Sequence, residues 1–367
     1  MKTADEKFME RALRLAGRGW WRVSPNPMVG AVIVKEGRII GEGYHHAYGK
    51  EHAEVVALNN ATASPAGACL YVTLEPCCHH GKTPPCTSAI IQSGIKRVVI
   101  ASHDPNPLIS GKGISILEAA GIQTTVGVLI EEARRCNASF FKFMEKGLPF
   151  VTLKIAQSLD GKIATKSGDS FWITSLASRR HAHRLRSAND AILVGIGTVK
   201  SDDPLLTCRL VKGRNPLRVV LDSRLTISED AKVLKGDAKT LLLVTRQGAN
   251  EQKMAVLRTC GAEVLELPAV SSGIDLGCLL RELGNRGVSS VLVEGGSSIA
   301  TSFLQGGFVD KIALFVAPKI IGDGIPIFGD LGVSKITESI GIDWLTQRRF
   351  GRDLFFEGLP LQRHNEA

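Results

Sequence analysis

The chain has 367 residues, 44% hydrophobic and 22% charged, with 38 glycines and a formal net charge of +9. That length exceeds what one hydrophobic core ordinarily serves, so two domains are expected, and the composition is that of a globular α/β protein and does not indicate disorder. The positive surplus forms no long run of Lys and Arg, aromatic residues make up only 5%, and no apolar run is long enough to span a bilayer. Nucleic acid and membrane are therefore disfavoured as partners, whereas a phosphorylated small molecule fits.

In chain order, MKTADEKFMERALRLAGRG scatters charges among its apolar positions and reads as an amphipathic helix, not a signal peptide. The runs MVGAVIV and RIIGEGY, split by a charged turn at Lys35 to Gly37, predict a β-hairpin. His52 through Asn59 follows as a helix, ACLYVTLE as a strand, TPPCTSAIIQSG as a proline-opened helix and RVVIAS as a strand. ISILEAAGI, a strand at Gln123 to Val126 and one closing helix over EEARRCNASFFKFMEKG complete a central sheet with helices packed on it.

The break at Gly147, Leu148 and Pro149 sets the domain boundary, giving domains 1–147 and 148–367. Beyond it, FVTLKIA, AILVG, LRVVLD, TLLLVT, SSVLVEGG and KIALFVAP read as strands interleaved with helical or loop segments, a second sheet domain. No repeat of the first half and no low-complexity linker is visible.

The sharpest local signal is HAE at His52, Ala53 and Glu54, followed by EPCCHHGKTPPC from Glu75 to Cys86. Eight cysteines in a chain with no export signal, three of them clustered, predict metal binding in the reducing cytoplasm and not a disulfide framework. His52, Cys77 and Cys86 offer Zn2+ one imidazole and two thiolates, which leaves a fourth position for a water whose pKa the ion lowers. Glu54 is expected to carry protons beside the metal without ligating it. Cys86 opens a helix, whose partial positive charge favours the thiolate. Cys78, His79 and His80 are rival ligands inside the loop, although His79 and His80 suit a substrate mouth better. A purely structural zinc site would leave HAE unexplained.

HAE with TLEPCCHHGKTPPC, preceded by NPMVGAVIV and followed by HDPNP, closely resembles the bifunctional deaminase/reductase family of bacterial riboflavin biosynthesis. The likeness continues through LKIAQSLDGKIA, GDSFWIT, GIGTVKSDDPLLTCR, VVLDS and VEGGSSIATSFL, nearly the whole chain. The resemblance implies an α/β protein with two folds. The N-terminal domain would be cytidine-deaminase-like, a mixed sheet with helices on both faces, and the C-terminal domain dihydrofolate-reductase-like. It implies zinc-dependent deamination of 2,5-diamino-6-(5-phosphoribosylamino)pyrimidin-4(3H)-one to 5-amino-6-(5-phosphoribosylamino)uracil, then NADPH reduction of the ribosyl group to ribityl.

In the second half VEGGSSIATSFLQGG reads as a strand ending in a glycine pair and opening a helix, a ready anion site, but not the GxGxxG fingerprint. Arg186 and Arg209 suit bidentate contact with a phosphate, against the alternative of ordinary surface arginines. By resemblance, Ala156, Trp172, Thr198, Asp202, Ser223, Gly295, Gly296, Ser297 and Ser298 would line the NADPH site. Ser170, Arg186, Leu206, Arg209 and Glu294 would contact substrate. Lys154 would orient the ribose, although a lysine on a strand is more often solvated, and no catalytic acid is evident. The expected partners are a phosphoribosylated pyrimidine and further copies of the chain in a homo-oligomer. The alternative function, a nucleic-acid base deaminase with an accessory C-terminal domain, lacks an aromatic-studded basic segment on which bases would stack.

Overall fold

In the computed structural model, which describes residues 2–80, 83–107, 109–271 and 273–361, the first helix forms where its charge pattern predicts. Helix α1 (Ala4–Ala16) starts at Thr3, whose hydroxyl accepts from the Glu6 N–H while the Glu6 carboxylate accepts from the Thr3 N–H. This reciprocal box satisfies two helix-end donors and fixes the start. The hairpin follows as β1 (Gly30–Lys35) and β2 (Arg38–Tyr44), turning through Glu36 and Gly37, both with positive φ. Next come α2 (Ala53–Asn59), β3 (Cys69–Val72), α3 (Cys86–Gln92), β4 (Arg97–Ile100), α4 (Lys112–Ala119) and β5 (Gln123–Val126).

The single closing helix expected from the sequence is instead two, α5 (Ile130–Cys136) and α6 (Ala138–Lys146). Asn137 separates them at φ −110° and ψ 28°. Its side-chain oxygen accepts from the Met28 N–H at 2.7 Å and its amide donates to the Met28 carbonyl at 2.8 Å. An asparagine that finds backbone partners outside the helix competes with continuing it.

The sheet order β2-β1-β3-β4-β5 is mixed, because β1 runs antiparallel to both neighbours while β3, β4 and β5 are parallel. Strand alternation supplies two cores. Ala31, Ile33, Leu70, Val72, Val98 and Ile100 pack with Ala57 of α2, Ile90 of α3 and Leu117 of α4. Val32, Val34, Tyr71 and Val99 pack with Met9 and Leu15 of α1 and Ala133 of α5. Helices therefore cover both faces. A Cβ on Gly43 would stand 2.3 Å from the Ala53 carbonyl and 2.4 Å from the Ala57 nitrogen, so this glycine lets α2 lie directly on β2.

The chain divides into compact units at Met1–Gly147 and Leu148–Ala367. The second opens with β6 (Phe150–Ser158), β7 (Lys162–Thr165), α7 (Leu176–Ala188), β8 (Ala191–Gly195), α8 (Ile196–Asp202) and β9 (Leu217–Leu221). It continues through β10 (Thr240–Thr245), α9 (Glu251–Thr259), β11 (Ala262–Leu267), the short pair β12 (Ala269–Val270) and β13 (Gly273–Ile274), and α10 (Leu276–Asn285). It closes with β14 (Ser290–Val293), α11 (Ser297–Gln305), β15 (Lys311–Ala317), β16 (Gly324–Pro326), β17 (Ile342–Phe350) and β18 (Asp353–Pro360).

The nine-stranded order is β11-β10-β9-β8-β14-β6-β15-β18-β17. Strands from β11 to β15 pair in parallel, with β8, β10 and β14 buried along their whole length, as a doubly covered parallel sheet requires, while β18 runs antiparallel to β15 and β17. One face packs on Leu279 and Leu283 of α10 and Phe303 of α11. The other packs on Val199 of α8 and Met254 and Leu257 of α9. Among the described residues no helix is long and apolar enough to cross a membrane.

Candidate functional site

Two helix starts meet at the HAE and PCCHHGKTPPC segments. His52 occupies the N-cap of α2, Glu54 lies in its first turn, and Cys86 is the first residue of α3. Cys77 stands beyond the end of β3 and is tied to α3 by the Thr87 N–H, which donates to its carbonyl at 3.2 Å. His52 Nδ1 lies 3.4 Å from Cys77 Sγ and 3.3 Å from Cys86 Sγ, and the Cys86 N–H points at Cys77 Sγ over 3.4 Å. All three ligand atoms fall within 4.8 Å of one another. Tetrahedral zinc at about 2.0 Å from nitrogen and about 2.3 Å from sulfur needs N···S separations of about 3.6 Å, so the donor set and its spacing fit that ion. Among the described residues this is the cluster that offers such a site, and Cys78 and the two following histidines are not part of it.

The protonation pattern has the same origin. A hydrogen bond from Cys86, and then one from His52, brings the Cys77 thiol down to about 4, against the opposing effect of burial. The same contact with Cys77 and burial push Cys86 up, and the bond to Cys77 pushes His52 up. Three donors that share protons in this way present the charge a divalent cation would take over on displacing them. Glu54 is 3% exposed. Desolvation, with the Cys77 thiolate as the second cause, raises it to about 7, the range in which a carboxyl group can both accept and return a proton.

A cavity of about 360 Å³ opens at this cluster, and His52, Glu54, Cys77, His79, Asn26, His45, Asp104 and Asn106 all line it. His79 thus stands at the mouth as expected, while exposed His80 is not among its lining residues. Asn26, His45, Asp104 and Asn106 were not singled out from the sequence. Asn26 sits in NPMVGAVIV and Asp104 and Asn106 in HDPNP, so those segments were flagged without the roles of their members. His45 is 3% exposed; its Nδ1 lies 3.0 Å from the Glu51 carbonyl and its Nε2 3.1 Å from the Asn26 amide. Burial first, and Glu75 nearby, lift Asp104 to about 6. Behind the cysteine loop the Glu75 carboxylate accepts from the N–H groups of Gly111 and Gly113 at 3.0 Å each and of Asp104 at 3.3 Å. One buried carboxylate thereby ties Asp104, Gly111 and the start of α4 to the segment just before Pro76.

In the second unit a cavity of about 780 Å³ lies at the carboxyl ends of the parallel strands, where open α/β sheets bind ligands. Its lining brings together all the residues assigned there by resemblance. Ala156 comes from β6, Ser170 and Trp172 from the loop before α7, Arg186 from α7, and Thr198 and Asp202 from α8. Leu206 and Arg209 follow α8, Ser223 follows β9, Glu294, Gly295 and Gly296 connect β14 to α11, and Ser297 and Ser298 open that helix. Gly296 is the N-cap of α11 without a side-chain cap, which leaves backbone donors for an anion. A Cβ on Gly295 would stand 2.5 Å from the Ile299 side chain, so the cradle admits only glycine there. Shape, helix start and donor groups fit a phosphate-bearing dinucleotide.

The Arg186 fork grips Glu294 through Nε at 2.8 Å and Nη2 at 2.9 Å, and its Nη1 reaches the Thr207 carbonyl at 3.3 Å. Arg186 is therefore committed to the protein, whereas Arg209 is exposed and lines the cavity. Lys154, which could orient the ribose or be solvated as strand lysines more often are, is largely buried with Nζ 3.5 Å from Glu294. Burial opposes the charge on Glu294, but Arg186 and Lys154 hold its carboxyl well below the usual range. His183, also overlooked in the sequence, lines the same cavity from α7.

The chain was compared with known proteins. Residues 2–102 match the cytidine and deoxycytidylate deaminase zinc-binding region, and residues 149–354 match the RibD C-terminal domain. The riboflavin biosynthesis protein RibD of Aquifex aeolicus is 48% identical over 355 residues, 96% of this chain and 98% of that protein. RibD of Escherichia coli is 39% identical over 364 residues, 95% of this chain and 98% of that protein. Among solved structures, Acinetobacter baumannii RibD superposes with a TM-score of 0.85 at 36% identity, over 98% of this chain and 99% of that one. The diaminohydroxyphosphoribosylaminopyrimidine deaminase/5-amino-6-(5-phosphoribosylamino)uracil reductase of Thermotoga maritima gives 0.82 at 41% identity, with the same coverage of 98% and 99%.

Proposed function

The chain belongs to the RibD family of bifunctional riboflavin biosynthesis proteins, and we propose that it performs two consecutive reactions on a phosphoribosylated pyrimidine. The first unit hydrolytically deaminates 2,5-diamino-6-(5-phosphoribosylamino)pyrimidin-4(3H)-one, and the second reduces the ribosyl group of the resulting uracil to ribityl. The observation that carries this reading is the convergence of His52, Cys77 and Cys86 with the buried carboxyl of Glu54 beside them.

In the first reaction His52, Cys77 and Cys86 would hold Zn2+, which would supply a water activated for attack at neutral pH. Glu54 would take a proton from the attacking water and pass it to the ring nitrogen, then take the second proton from the hydroxyl now on the ring carbon and pass it to the amine, which leaves as ammonia. His45, fixed by Asn26 and the Glu51 carbonyl, and Asp104 shape the pocket around the ring.

In the second reaction the start of α11 would hold a cofactor phosphate, with Ala156, Trp172, Thr198, Asp202 and Ser223 lining the cofactor side. NADPH supplies the hydride. Arg209 takes the substrate phosphate with Ser170 and Leu206 beside it, while Lys154 presents its ammonium group to the sugar, oriented by Glu294. Arg186 acts by fixing Glu294. The test is a stepwise product assay of zinc-loaded protein with NADPH on the diaminopyrimidine phosphoribotide. Ammonia release followed by NADPH oxidation is expected, and failure of both would refute the reading.

A further inference from the structure

We infer that His183 is a positioning residue of the reducing site, an acceptor that holds the loop presenting Leu206 and Arg209. The inference rests on the proposed contact between Arg209 and substrate. His183 lies in α7 and is 5% exposed. Its Nδ1 accepts from the Arg209 N–H at 3.1 Å and the Leu210 N–H at 3.4 Å. An acceptor at Nδ1 requires the neutral ring with its proton on Nε2. The surroundings favour that form, since burial first and then the charges of Arg186 and Arg209 lower the imidazole to about 4, opposed by Glu294.

The loop needs holding. Asp203 and Leu206 both adopt the left-handed region, at φ 39° and 54°, although neither is glycine, and such residues persist only where their surroundings over-determine them. Arg218 reaches the Leu205 carbonyl at 3.5 Å and Arg186 the Thr207 carbonyl at 3.3 Å. Asn215 accepts from the Cys208 N–H at 2.9 Å, and the Cys208 thiol reaches the His183 carbonyl at 3.5 Å. These grips end at residue 208. The backbone that carries the Arg209 guanidinium is tied to α7 through the imidazole, so removing the acceptor leaves two N–H groups without it and frees Arg209 from its orientation toward the cavity.

The experiment compares H183L, H183N and H183Q with R209A and with the double variant H183L/R209A, all in the full-length zinc-loaded chain. It reads kcat and KM for the aminouracil phosphoribotide, with ammonia release as the internal measure of intact protein. H183L is expected to raise KM about tenfold with kcat within about threefold of the parent, the pattern of lost binding contacts. H183N places an acceptor oxygen where Nδ1 stands and is expected to restore most of the KM, whereas H183Q is not. H183L added to R209A is expected to raise KM little further, because both act through one contact. Raised KM in R209A beside unchanged KM in H183L overturns the inference alone. Unchanged KM in R209A overturns the substrate role of Arg209 and the inference with it. Rescue by Gln in place of Asn, or loss of kcat at constant KM, assigns the function to Nε2 and also overturns it. Should H183L fail to accumulate, the contrast between the Asn and Gln variants decides on its own.

Discussion

Glu54 is the residue at which burial and chemistry coincide: lost solvation and the Cys77 thiolate keep its proton affinity near neutrality, while His52, Cys77 and Cys86 form a metal-binding cluster without it. Glu54→Gln should therefore retain metal, measured by elemental analysis, yet lower the rate of ammonia release by about 100-fold or more, with NADPH oxidation on the uracil unaffected. Loss of zinc together with activity would make the carboxylate a ligand. Arg209→Ala should weaken reductase substrate binding and spare ammonia release, and equal loss of both activities would contradict separate sites. The cluster of His52, Cys77 and Cys86 was legible because each lies in a short segment whose residue types have one economical explanation. The sequence left Lys154 open between a ribose contact and solvation because its burial depends on Glu294, 140 positions away in sequence and brought near by the parallel pairing of β6 with β14. His45 and Asp104 carry no motif that distinguishes them from ordinary polar loop residues.

Elements set the geometry that these side chains use. The Glu75 carboxylate joins the cysteine loop to the start of α4 through several backbone N–H groups, and removing it leaves buried donors unsatisfied. Glu75→Ala should destabilise the first unit by roughly 3 kcal/mol, read from denaturant unfolding, and lower zinc affinity while the reductase persists. An unchanged unfolding midpoint would show that the carboxylate holds nothing. Strands of the parallel sheet were legible because burial on both faces makes them continuous apolar runs such as AILVG and TLLLVT. The β17–β18 hairpin was not, because β17 at the sheet edge reads IDWLTQRRF and is mostly exposed. The break between α5 and α6 was hidden for a different reason. Asn137 ends a helix here by bonding to Met28, a contact that local propensity does not contain.

On the scale of the whole molecule, two units with separate cavities should answer differently to pH and to metal. His181 and His183 are buried in the second unit and lowered to about 4, chiefly by desolvation. An unfolded chain takes up protons at these positions from about pH 6.5 downward while the folded one resists until about pH 4, so stability is lost as pH falls through that window. Thermal unfolding of His181→Phe, whose ring would replace an imidazole stacked 4.5 Å from Phe350, should show a flatter decline between pH 6.5 and pH 4 than the parent. An unaltered slope would place the acid sensitivity elsewhere. The most direct test of the account is to strip the metal and restore zinc in steps while recording bound zinc, ammonia release and NADPH oxidation on the same sample. Ammonia release should rise in proportion to zinc up to one ion per chain, with reduction of the supplied uracil unchanged throughout. Full ammonia release from zinc-free protein would contradict the account.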